Sequence, residues 1–329
     1  MKVAEPPQAP GFLAGIVRSW MGFWFSPGSA ANLGFCRVIA AGLFFYLFNT
    51  RGWSDWFGMD RVLWLPTPLF DALDLRPLSG AALDVLAMAC KASLLLTAVG
   101  FMTRSSAAIA AVLTFYLLGL QQNVGKIFYA DAVVPLILLI LAVARSGDRW
   151  SLDHVFHRVA RGRAASDVPA GEYTWPVRLV WLLTVMIFFA AGIAKLRAGG
   201  LEWVFSDQLS DVLVGQYHRP EPPPTSIGFV LAEHKTLCKF LAGTVVALEI
   251  LSPLALVSAR IRAIVLPGML TFTLCLPVLF GFAFTPHFGM FAFWVPWDRL
   301  GTILSRGESD RCSRRDSLAD SPGGSPPLS

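Results

Sequence analysis

The sequence predicts an all-α fold, a polytopic integral membrane helical bundle of about seven to eight spans. Of 329 residues, 55% are hydrophobic and 15% are charged, against about 25% charged in soluble domains. The apolar residues gather into runs close to the ~20 residues a helix needs to cross the hydrocarbon, and the mean hydropathy is +0.57. The net charge of +5 lies in short loops and the tail, where it sets topology. The lipid bilayer is therefore the expected environment, and no nucleic-acid partner is expected.

Three regions follow in order. Residues 1–31 are Pro-rich and then aromatic (Trp20, Phe23, Trp24, Phe25, beside Arg18), which predicts a helix lying at the headgroup level. Residues 32–300 hold the spans, and 301–329, rich in Ser, Gly, Pro and charge, cannot bury enough apolar surface to fold. Spans are predicted at 32–48, 80–101, 105–124, 126–144, 176–197 and 235–257. The run 263–297 is too long for one perpendicular helix at 1.5 Å per residue. A bend at Thr285-Pro286-His287 would give a seventh span and a short eighth. The polar stretch 199–234 reads as a short helix followed by an extended turn. Arg37 inside the late first apolar segment argues against a cleaved signal peptide. The five cysteines show no metal-ligand spacing, so no metal is expected.

Arg145, Arg149, Arg158, Arg161, Arg163 and Arg178 make the fourth loop and its border the most basic region, and Arg260 and Arg262 fall on the same side. By the positive-inside rule the N-terminus is cytoplasmic, and Lys195 and Asp131 lie near the outer face.

Five ionisable residues sit within apolar runs: Arg37, Lys91, Asp131, Lys195 and Glu249. Charge at that depth is costly and marks either structural ion pairs or a site. Arg37 and Glu249, both toward the cytoplasmic half, are expected to pair with each other; Lys91 is left open between core and pathway. Lys195 lies among Ala190, Ala191, Gly192 and Ala194, small residues that let neighbouring helices approach. It either snorkels to the surface or is held in an apolar site, where a desolvated lysine can act as a base near neutral pH. In the second case Tyr129, Asp131, Phe188, Phe189 and Trp203 are expected to border one cavity with it, large enough for a lipophilic substrate.

The run Phe188-Phe189-Ala190-Ala191-Gly192-Ile193-Ala194-Lys195-Leu196 with Trp203 resembles the lysine motif of the vitamin-K-dependent γ-carboxylase-like family, the HTTM (horizontally transferred transmembrane) domain. Gly34-Phe35-Cys36-Arg37-Val38, Val99-Gly100-Phe101-Met102-Thr103-Arg104, Asp148-Arg149-Trp150-Ser151-Leu152-Asp153, Glu249 and the 293–297 end add to the resemblance, which covers about 30–300. It implies that Lys195 is the base that deprotonates a reduced quinone of the vitamin K or menaquinol type, at a site facing outward. It also implies the short bacterial form, in an inner (plasma) membrane.

Two departures bear on activity. The large extramembrane domain that holds the glutamate substrate in the carboxylases has no counterpart here, so protein carboxylation would need a partner protein supplying that site. The fourth span shows Lys126-Ile127-Phe128-Tyr129-Ala130-Asp131 where the carboxylases place a histidine. The alternative from another class is a non-catalytic membrane scaffold, a transport or assembly partner.

Overall fold

The computed structural model describes residues 12–51, 61–124, 130–161, 168–219, 222–282 and 284–298. Among them the chain is helical and has no strand; its only β-type pairings are the isolated bridges Gly28 to Ala170 and Leu65 to Val124. In order the helices are α1 (Phe12–Phe25), α2 (Ala30–Asn49), α3 (Pro68–Ala72), α4 (Gly80–Val99), α5 (Thr103–Leu120), α6 (Val133–Val143), α7 (Leu152–Arg161), α8 (Thr174–Gly199), α9 (Glu202–Phe205), α10 (Gln208–Tyr217), α11 (Ile227–Glu233), α12 (Lys235–Leu251), α13 (Leu254–Val257), α14 (Ala259–Phe280) and α15 (Thr285–Phe291). Several starts follow local chemistry. The hydroxyls of Ser29, Ser79 and Ser258 accept the N–H of Ala31, Ala82 and Ile261, each satisfying a donor that the first helical turn leaves unpaired.

Among the described residues five helices are long and apolar enough to cross a membrane: α2, α4, α5, α8 and α14; α6 is a shorter apolar helix. Their outward faces are apolar rather than charged. Val85 and Met88 on α4, Ile109 and Val112 on α5, and Ile264 and Leu274 on α14 are all exposed. Helices dry inside and greasy outside suit lipid, which offers the backbone no hydrogen bonds and so leaves the helix to satisfy itself. This is the all-α membrane bundle that the composition predicts.

The core centres on α2, whose Leu33, Cys36, Ala40, Phe44 and Phe48 are wholly buried. Helices α4, α5 and α6 pack side by side in sequence, with α2 against α4 and α15 against α2. Helix α8 packs on α12, above a cluster of Phe188, Ala255, Val265, Met269 and Phe291.

Several boundaries differ from the sequence expectation. The fourth span is helical from Val133 among the described residues, so α6 is short. The sixth stops at Leu251; Ser252 and Pro253 turn the chain into the separate α13. In the long 263–297 run the break falls at Gly281, not at 285–287. Gly281 caps α14 with φ +77°, a left-handed conformation that glycine adopts without steric cost, and Pro286 then sits in the first turn of α15. The 199–234 stretch holds three short helices, α9 to α11. The expected tail 301–329 lies outside the described residues. Unit Met1–Trp294 holds the whole bundle, and a second unit begins at Val295.

Candidate functional site

Lys195 sits one turn before the end of α8 and meets Glu249 on α12. Its Nζ donates to both carboxylate oxygens, at 2.6 Å and 2.8 Å. The carboxylate side chain is 3% exposed and the lysine 23%, so the acid is enclosed while the amine end stays reachable. The approach depends on Gly192, one turn earlier on the same face: a Cβ there would lie 2.9 Å from Cβ of Glu249 and 3.0 Å from Ile250 Cδ1. Trp203 on α9 covers the lysine from the other side, its ring centroid 5.4 Å from Nζ, a cation–π distance. The Lys195, Gly192 and Trp203 elements of the sequence motif therefore converge on one point.

Two turns before Lys195, Phe188 lines the same face of α8 and is buried. Its ring stands edge-on to His287 of α15, with centroids 5.5 Å apart, and Phe284 stacks on the same imidazole at 5.0 Å. His287 is 2% exposed, and its Nδ1 is buried with no hydrogen-bond partner. The sequence marks this residue only as part of the bend predicted at Thr285-Pro286-His287. The available signal was a single histidine within the apolar C-terminal run, directly after a proline. Phe189 is half-buried on α8.

The expected pairing of Arg37 with Glu249 is not formed. The Ser252 hydroxyl donates to the Val185 carbonyl at 3.0 Å and Gly192 leaves room for Glu249 against α8, so the carboxylate meets Lys195 instead. Arg37 is wholly buried and pairs elsewhere through its two terminal nitrogens, while its Nε has no partner among the described residues. Its guanidinium donates to the carbonyl oxygens of Ser146, at 2.5 Å, and of Trp150.

That contact belongs to a knot built from three of the stretches that carry the family resemblance. The Phe35 and Trp150 rings lie 4.5 Å apart. A Cβ on Gly34 would lie 2.6 Å from the Arg149 carbonyl oxygen, and one on Gly100 would lie 2.4 Å from Cβ of Ser151. Gly100 has φ +73°, so both conformation and space demand glycine. Asp153 closes the knot by accepting the N–H groups of Met102 and Thr103, each at 2.8 Å, and the Thr103 hydroxyl at 2.7 Å. These residues join α2, the α4–α5 turn and α7; their contacts are structural.

Asp131 also differs from expectation. Its two oxygens take the Arg51 guanidinium at 2.9 Å each, and Arg51 further donates to Gln121 at 3.2 Å. The cavity that Asp131 borders, about 580 Å³, opens between α5 and α6 against Phe70, Phe115 and Leu139; Phe188, Phe189, Lys195 and Trp203 do not line it. Arg51 directly follows the first span and supplies the nearer cation, which leaves Glu249 as the counterion of Lys195. Tyr129 lies outside the described residues. Among the described residues no cluster of His, Cys, Asp and Glu could hold a metal ion.

These features define an all-α integral membrane protein with a lysine–carboxylate pair set between α8 and α12. The chain belongs to the HTTM domain family, whose model matches residues 25–296. No curated protein and no solved structure matches it.

Proposed function

We propose that this chain performs base chemistry on a reduced quinone, with Lys195 as the base and Glu249 as its proton partner. The bidentate contact of Lys195 Nζ with a carboxylate that is 3% exposed carries this reading. Through a 2.6 Å hydrogen bond the ammonium can pass its proton to Glu249, leaving an amine able to accept another. Burial favours such neutralisation, because two enclosed charges are costly even when paired. The partly open Nζ then accepts the incoming proton, and Glu249 offsets the charge that forms.

The surroundings fit a flat apolar ring: the Trp203 indole flanks the amine, and Phe188 and half-buried Phe189 continue the same stretch of α8. A reduced quinone would supply two weakly acidic ring hydroxyls within reach of one base. In the orientation favoured by the basic loops the site faces outward, in a plasma membrane. Carboxylation of a protein glutamate would further need a partner protein to present the substrate.

The same ion pair favours a second reading, a non-catalytic scaffold in which Lys195 and Glu249 fix α8 against α12. Lys195→Arg separates the two, since arginine keeps the charge but cannot serve as a base near neutral pH. Proton transfer alone consumes no quinol, so the assay supplies dioxygen, which takes two electrons from the deprotonated quinol to give quinone and hydrogen peroxide. Base chemistry requires that this oxygen-dependent consumption by the purified protein vanish in Lys195→Arg while its melting temperature stays near wild type. A scaffold requires that the variant behave as wild type in every assay.

A further inference from the structure

At the far end of α8 from Lys195, two arginines converge on one aromatic platform. Trp181 and Trp294 stack with centroids 4.2 Å apart and planes 4° from parallel. Both indoles are fixed, Trp181 Nε1 donating to the Phe293 carbonyl at 2.8 Å and Trp294 Nε1 to the Thr184 hydroxyl at 3.2 Å. The guanidinium carbon of Arg178 lies 4.0 Å from the Trp181 centroid and that of Arg262 lies 4.6 Å from it. Arg262 is anchored through Nε to Ala255 O at 2.8 Å and through Nη2 to Leu256 O at 3.1 Å. Arg178 is half-buried, and among the described residues it makes no hydrogen bond or ion pair. Among those residues neither arginine has a carboxylate partner.

We propose that Arg178 and Arg262 form a binding site for the phosphate group of an acidic phospholipid. Two guanidinium groups on one indole repel each other, and stacking on the ring offsets only part of that cost. A phosphate accepts several N–H donors in the planar geometry arginine presents, and the unused donors of Arg178 are the ones available. Depth agrees: Arg178 is four residues into α8, about 6 Å from its start, where headgroups lie. Basic pockets between helices at a membrane surface are the kind of site that holds acidic headgroups.

The acyl chains also have a place to lie. Helix α1 reaches Arg178 through Phe23, whose ring centroid is 5.1 Å from the guanidinium carbon. It leaves Leu13, Ile16, Val17 and Trp20 exposed, a spacing that puts them along one helical stripe.

The test uses the full chain in phosphatidylcholine nanodiscs, with thermal unfolding followed as phosphatidylglycerol replaces part of the lipid and, separately, as inorganic phosphate is added to pure phosphatidylcholine discs. Phosphatidylglycerol should raise the melting temperature of the wild type with saturation, and phosphate should not. Arg178→Gln should raise the half-saturating phosphatidylglycerol fraction about fivefold or more, and Arg178→Lys should recover part of the response. Because Arg178 makes no hydrogen bond, its loss should leave folding intact. Native mass spectrometry of the wild type released from mixed discs gives a check independent of any variant, with phosphatidylglycerol retained in preference to phosphatidylcholine. An Arg178→Gln titration matching wild type, a phosphate response equal to that of the lipid, or no lipid preference in the mass spectrum would each overturn the proposal.

Discussion

Lys195, Glu249 and Arg37 lie within apolar stretches, and the cost of their charge is met in two different ways. Lys195 and Glu249 neutralise each other, whereas Arg37 spends its donors on backbone carbonyls of the 146–150 loop. Removing one member of the Lys195–Glu249 pair leaves the other charge without its partner. We expect Lys195→Met or Glu249→Leu to cost about 2–4 kcal/mol, less than a fully enclosed pair because the lysine is partly open. The double variant should cost clearly less than the sum of the singles, a coupling of about 1–3 kcal/mol. Arg37→Leu and Glu249→Leu should instead add to within about 0.5 kcal/mol, since they share no partner. Denaturant titration in detergent measures all of these. Strong coupling between Arg37 and Glu249 would restore the pairing that the sequence suggested.

At the scale of elements, the knot that joins α2, the α4–α5 turn and α7 makes two separate demands. Gly100→Ala would place a Cβ in a left-handed conformation and against Ser151, and should destabilise by about 2 kcal/mol or more. Asp153 caps the start of α5. Partial burial alone would raise its pKa, but the Thr103 and Met102 donors outweigh it and hold the carboxyl below the ordinary 3.8. Because the folded-state value is depressed, this stabilisation is complete above the unfolded value of about 3.9 and is lost as pH falls through the lower folded value. Asp153→Asn should therefore cost about 1 kcal/mol at neutral pH and flatten the fall in stability below about pH 4. An unchanged acid limb would argue against the cap.

Much of this level was legible in the residues. The long apolar runs marked α2, α4, α5, α8 and α14, and Gly192 beside Lys195 marked a close helix contact. The end of α12 was not legible, because Ser252-Pro253 lies in a sequence as apolar as a helix interior. The partner of Glu249 is set instead by the close approach that Gly192 permits, which brings the carboxylate to Lys195. Arg51 was missed because a partner across the fold leaves no local pattern, and His287 because a lone histidine after a proline does not show that it is buried.

The whole molecule separates two chemistries along α8. The Lys195 end carries the ion pair under Trp203, and the Arg178 end carries the stacked arginines. Orientation decides which face each meets. With the basic loops inside, a cysteine replacing Gly215 in α10 should react with an impermeant reagent in intact cells, and one replacing Arg158 in α7 should react only after lysis. The reverse pattern would turn the bundle over and put the Lys195 site in the cytoplasm.

The central claim is that Lys195 works as a base rather than as one half of a helix clamp. Its most direct measurement is the rate of menaquinol consumption with dioxygen as the electron acceptor, by wild type and Lys195→Arg, each purified into lipid nanodiscs and shown to melt within a few degrees of the other. Loss of a positioned base should slow the variant by about 10²–10⁴-fold. A wild type that leaves menaquinol untouched, or a variant whose rate stays within a few-fold of wild type, would contradict it.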